Sequence, residues 1–242
     1  MSCSANIAAP TRPPNVVSPP IQPTPPSKPQ PPISVPGCPA PGTIQAVDLS
    51  VAVDQKFLDT MKKISVNTVI RYGDYLGNET IRGKIPRQAE IDLIKKNGFK
   101  FLAVFQHNNS KFASFTSTRG KADAEEMYKL YPMLPVWYYG VDFDASTAQQ
   151  SNIELYAKAF KVVADKYGKK IGAYGSGRTL TNLFSKGLID KKWISQSTGF
   201  GGTRELTASG KYDMLQKLPV KTCGGKEFDP NIVKGDIGAV LL

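Results

Sequence analysis

Histidine is nearly missing from this chain: His107 is the single one among 242 residues. Any Ser-His-Asp triad has to include it, and histidine-rich zinc chemistry is excluded. Cysteine is almost as scarce. Cys3, Cys38 and Cys223 match no metal-ligand spacing, and three thiols cannot all pair within one chain. A Cys38–Cys223 staple and reduced thiols both remain open at this point. No stretch of eighteen apolar residues occurs, so no helix is expected to span a membrane. Residues Met1 to Pro10 carry neither a basic segment nor an apolar core of useful length, unlike a conventional signal peptide. The expectation is a protein made in the cytoplasm that meets a wall target by lysis, injection or non-classical export, or within a particle. Zinc-finger spacing, an RNP-like aromatic pair and a Lys/Arg-rich recognition stretch are also lacking, which argues against sequence-specific nucleic-acid binding. The glycines at 175–177 and 199–202 have neither P-loop spacing nor a Gly-x-Gly-x-x-Gly fingerprint, so no nucleotide is implied. No metal or organic cofactor is expected.

What is present is unevenly placed. Residues 1–42 hold fourteen of the nineteen prolines, and no acidic residue precedes Asp48. Pairs such as Pro13-Pro14 and Pro25-Pro26 remove backbone donors and favour polyproline II. This arm reads as a stiff spacer or as a docking segment for a protein partner along residues 10–42. Residues 43–242 suit one domain with a substantial core. The net charge is +11, and only Arg12 and Lys28 of the basic residues lie in the arm. The folded part is therefore suited to an anionic partner: a nucleic acid, an anionic wall polymer or a membrane surface.

Short apolar runs alternate with helical periodicity after residue 43. Strands are expected at 43–49, 66–72, 99–106, 135–141, 170–174, 192–195, 213–218 and 227–231, with helices between most of them. Residues 199–210 read as a glycine-rich loop. Near-continuous apolar strands separated by helices indicate a parallel sheet, either open and doubly wound or closed. Eight repeats in about 200 residues favour a compact (β/α)8 barrel with degenerate last units.

The most informative stretch is Trp137-Tyr138-Tyr139-Gly140-Val141-Asp142-Phe143-Asp144. An aromatic and β-branched run ends in two acids one residue apart, and a strand period of two would point both the same way. Unpaired carboxylates are too costly inside a core, so they belong at the strand end. Paired acids there serve glycoside hydrolysis, hold a hard cation, or simply form a turn.

Over residues 44–240 the chain resembles glycoside-hydrolase-like (DUF-type) proteins related to family 25 lysozymes. The landmarks are Val47-Asp48, Ile70-Arg71-Tyr72, Val104-Phe105-Gln106, Gly140 to Asp144, Gly172 to Ser176, Trp193, Gln216 and Phe228-Asp229-Pro230-Asn231. The resemblance implies a TIM-like barrel and muramidase-like chemistry on peptidoglycan or another anionic glycan. Asp144 stands where those lysozymes carry glutamate and would be the proton donor. Asp142, with Asp48 or Asp229 across the mouth, would stabilise positive charge on the sugar or position water. Arg71 is expected to pair with an acid or touch the sugar, Tyr174 to bond a carboxylate or stack on a sugar, and Gln106 and Gln216 to add polar contacts. His107 is expected on an exposed loop and Trp137 in packing. The alternative is a non-catalytic structural or docking component of a virion or injection-type assembly.

Overall fold

The computed structural model describes residues 34–195 and 197–242; the proline-rich segment up to residue 33 lies outside them. Seven strands stand in sequence order: β1 (Ala46–Asp48), β2 (Thr68–Gly73), β3 (Lys100–Phe105), β4 (Val136–Gly140), β5 (Lys170–Gly175), β6 (Lys191–Ile194) and β7 (Met214–Gln216). Each pairs in parallel with the next. A hairpin of β8 (Lys221–Cys223) and β9 (Lys226–Val233) follows. Strand β9 runs antiparallel to both β7 and β1 and so closes the ring. The barrel is thus closed but mixed, where the spacing of apolar runs predicts parallel strands. The reason is local: no helix intervenes between β7 and β9, and a parallel return needs a long crossover.

Period-two alternation sorts the side chains into two cores. Val47, Val69, Phe101, Trp137, Tyr139 and Ile171 point outward beneath the helices. Ala46, Ile70, Leu102, Val104, Tyr138, Trp193 and Met214 fill the barrel. Gly172 makes room for this filling, because a Cβ there would lie 2.2 Å from the Tyr138 ring. The lower end is plugged by the last residues of the chain. Tyr138 Oη donates to the Ile237 carbonyl at 3.0 Å, and β10 (Val240–Leu241) pairs antiparallel with the start of β3.

The outer layer consists of α1 (Gln55–Lys63), α2 (Gln88–Lys96), α3 (Ser117–Leu130), α4 (Gln150–Lys166), α5 (Gly177–Ser185) and α6 (Thr203–Ser209). Short polar side chains start several of them: Asp54 accepts from the Phe57 amide at 2.9 Å, and Ser176 caps α5 through the Thr179 amide. Helix α6 corrects the expectation of a loop over 199–210. Its seven residues are bracketed by Gly202 and Gly210, both left-handed, and they shelter against α5. A Cβ on Gly177 would lie 2.0 Å from the Gly202 carbonyl oxygen, so this contact needs glycine. Cys38 and Cys223 form a disulfide with Cα atoms 5.2 Å apart, tying β8 to the segment before β1. Among the described residues no helix is long and apolar enough to cross a membrane.

Candidate active site at the barrel mouth

The carboxyl-terminal ends of the parallel strands surround a cavity of about 270 Å³. This is the face on which barrel enzymes place their chemistry. Asp48 ends β1, Tyr72 stands near the end of β2, Gln106 follows β3, Asp142 follows β4, Tyr174 belongs to β5 and Gln216 ends β7. Asp229 enters from β9, where it is the register partner of Asp48. Lys84, from the connection between β2 and α2, and Trp193 of β6 complete the functional part of the lining.

Asp48 is fully buried and held from three sides. Tyr72 Oη donates to its Oδ1 at 2.8 Å and Asn231 Nδ2 to its Oδ2 at 2.7 Å. Gln216 Nε2 lies 3.3–3.4 Å from both oxygens. The two amide donors are themselves positioned. Tyr174 Oη donates to Gln216 Oε1 at 2.8 Å, and Trp193 Nε1 to Asn231 Oδ1 at 2.8 Å. Burial nevertheless wins over these bonds and raises the Asp48 pKa to about 6. Asp229 is only partly buried, but burial and the facing Asp48 charge raise it to about 7. The two acids therefore keep a proton between them near neutrality.

Asp142 is in a different setting. Gln106 Nε2 donates to its Oδ2 at 2.9 Å. Burial raises its pKa, while the Gln106 bond and the Lys84 charge oppose the rise. Lys84 is itself 2% exposed. Its ammonium donates to the Gln106 carbonyl and, at 3.3 Å, to Thr80 Oγ1. Asp74 lies 3.7 Å away. Burial lowers the Lys84 pKa, with Asp74 acting against that shift. The mouth thus holds a proton-retaining acid pair beside a third carboxylate with a nearby cation. Among the described residues no group of three or more His, Cys, Asp or Glu side chains is arranged to hold a metal ion.

Two expected site residues lie elsewhere. Asp144 is exposed and accepts from the Gly201 amide at 2.9 Å, so it ties down the loop before α6 instead of facing the cavity. Strand β4 stops at Gly140, and beyond it the period of two no longer governs which way Asp142 and Asp144 point. Arg71 alternates onto the outer face of β2. It is fully buried, with Nε 2.7 Å from Glu90 Oε1 of α2, and it bonds the Leu49 and Gly83 carbonyls. His107 corrects the expectation of an exposed loop: it is 8% exposed with Nδ1 against Asp74. Trp137 is buried in the outer core.

Sequence reasoning passed over Tyr72 and Asn231 as site residues, although both sit in quoted landmarks at strand positions of inward parity. Lys84 carries no such signal, because it arrives from a connection with no periodicity.

The family model described as Rv2525c-like, glycoside hydrolase-like domain matches residues 59–218. Among solved structures, the Mycobacterium tuberculosis Tat-secreted protein Rv2525c in complex with HEPES aligns with TM-score 0.64 at 19% identity, over 81% of this chain and 98% of that one. Its complex with L-tartrate aligns with TM-score 0.63 at 18% identity, with the same coverage. The Clostridium perfringens spore cortex lytic enzyme SleM aligns with TM-score 0.45 at 14% identity, over 80% of this chain and 67% of that one. No curated protein matches the chain. The likeness to a Tat-secreted protein overturns the expectation of a route outside conventional export. That expectation rested on the composition of the first ten residues alone. The matched family is glycoside-hydrolase-like and is not specifically that of the family 25 lysozymes.

Proposed function

Since the chain belongs to the Rv2525c-like, glycoside hydrolase-like domain family, we propose that the mouth cavity hydrolyses glycosidic bonds in the glycan chain of peptidoglycan or another anionic glycan. The observation that carries this reading is the split among three carboxyls in one cavity. Asp48 and Asp229 are raised to about 6 and about 7; burial raises Asp142 as well, but there Gln106 and Lys84 work against the rise, whereas at Asp229 the Asp48 charge adds to it. Glycoside hydrolysis needs such a split: one carboxyl must arrive protonated and another must be ionised.

Asp229, the more open of the pair, is the general acid. It gives its proton to the glycosidic oxygen as the bond from that oxygen to the sugar carbon breaks. Asp142 faces the positive charge that grows on the ring and either bonds to the carbon or activates the incoming water. Asp48 is the positioning acid: fixed by Tyr72, Asn231 and Gln216, it keeps the Asp229 proton in place by like-charge repulsion. The basic surface, at a net charge of +11, suits a polyanionic substrate around a locally acidic mouth.

The test is release of reducing ends from purified peptidoglycan by the full chain and by Asp142→Asn and Asp229→Asn. Release by the parent chain that both substitutions abolish supports the reading. No release by the parent chain overturns it and leaves the scaffold role as the better account.

A further inference from the structure

A second cavity of about 570 Å³ lies against the first and shares Asp48, Ser50, Tyr72 and Asp229 with it. Its remaining lining comes from Leu49 and Val51 after β1, from Val220 just before β8, and from Gly225, Lys226, Glu227 and Phe228 of the β8–β9 hairpin. The acid pair therefore stands at the junction of two spaces and not at the bottom of one.

The hairpin that walls the second space is anchored at three points. Cys223 of β8 is bonded to Cys38. Lys226 Nζ lies 2.8 Å from Asp54 Oδ2, the residue that caps α1. The turn at Gly224 packs so closely on α1 that a Cβ there would come within 3.2 Å of Phe57 Cα. A hairpin held in this way forms a fixed wall, so the space beside it exists before any ligand arrives. Its lining alternates apolar faces, Val51 and Val220, with polar groups, Ser50, Lys226 and Glu227. Both valines are largely exposed, at 48% and 42%. Such a surface suits a ring with C–H faces and hydroxyl edges.

We propose that the hairpin space is a second sugar subsite, so that the ligand is an oligosaccharide threaded past Asp48 and Asp229 with ring units on both sides. The proposal rests on the glycan reading of the mouth and adds to it where the chain is cut: internally, between units held in the two spaces. A site with the first cavity alone would hold a single terminal unit.

The experiment is calorimetric titration of the full chain with N-acetylglucosamine and with its β-1,4-linked tetramer, repeated on Val51→Trp and Val220→Trp. Each tryptophan would crowd the second space from a position that does not line the first. The expected result is tetramer affinity greater than monosaccharide affinity by at least about tenfold, a gain that both substitutions erase while monosaccharide affinity stays unchanged. Equal affinities, or a gain that survives both substitutions, overturn the second subsite but leave the mouth reading standing. Binding of neither sugar, together with no reducing-end release from peptidoglycan, overturns both.

Discussion

Asp48 and Asp229 stand directly opposite one another across the antiparallel seam that closes the barrel. Side chains in that register have Cβ atoms about 4.5–5.5 Å apart, and like charges so placed destabilise the pair. The seam therefore stores one proton at the point where the ring of strands is shut. Because the donors to Asp48 come from β2, β7 and β9, closure of the barrel and assembly of the acid pair are one event.

The pair makes stability depend on pH. Both carboxyls are raised from 3.8, to about 6 and about 7. Between roughly pH 4 and 7 the folded chain then binds more protons than the unfolded chain, so the contribution of the pair falls as pH rises and levels off above that window. Urea midpoints measured from pH 4 to 8 should show this decline, and Asp229→Asn should flatten it. An equal slope in the variant contradicts the shared proton.

Asp142→Asn and Asp144→Asn are expected to separate cleanly. Removing the Asp142 carboxylate should lower kcat for reducing-end release by about 10²-fold or more. Asp144→Asn touches only the contact with the Gly201 amide, for which asparagine still offers an acceptor oxygen, and should keep kcat within a few-fold. Equal losses would return Asp144 to the chemistry.

Arg71 is a structural cation. Replacing it with alanine leaves Glu90 buried without its partner, at a cost of about 3–5 kcal/mol in unfolding free energy. Chemical denaturation measures this. A loss below about 1 kcal/mol would mean that the pair contributes little.

Tyr139 carries a buried hydroxyl with no hydrogen-bond partner among the described residues. Tyr139→Phe removes the desolvation cost and should hold or raise stability, by up to about 1–3 kcal/mol. A drop in melting temperature would show that the hydroxyl has a partner.

The Cys38–Cys223 bond closes a loop spanning 185 residues. Cys223→Ser should lower unfolding free energy by about 2–5 kcal/mol, mostly by freeing the unfolded chain. If the hairpin forms the second subsite, the same change should weaken tetramer binding more than monosaccharide binding.

Some of this was written plainly along the chain. Seven parallel strands announce themselves because each is a short apolar run bounded by turn residues, and inward parity directs Asp48, Tyr174 and Gln216 to the barrel mouth without any knowledge of partners. The period breaks down at strand ends, which is why Asp144 was expected beside Asp142 and is found on a neighbouring loop. Parity also assigns Arg71 to the outer face, but an arginine ending an apolar strand looks like a site residue until Glu90 is seen beneath it.

The local pattern of apolar and polar residues by itself determined the alternation of strand and helix and the face on which the acids gather, since both follow from side-chain period and from the cost of burying charge. Only the tertiary structure decided the antiparallel closing strand, the Asp48–Asp229 seam, the arrival of Lys84 and the second cavity beside the hairpin. Each of these joins residues far apart in sequence through the closure of the barrel, and no periodicity records a meeting of that kind.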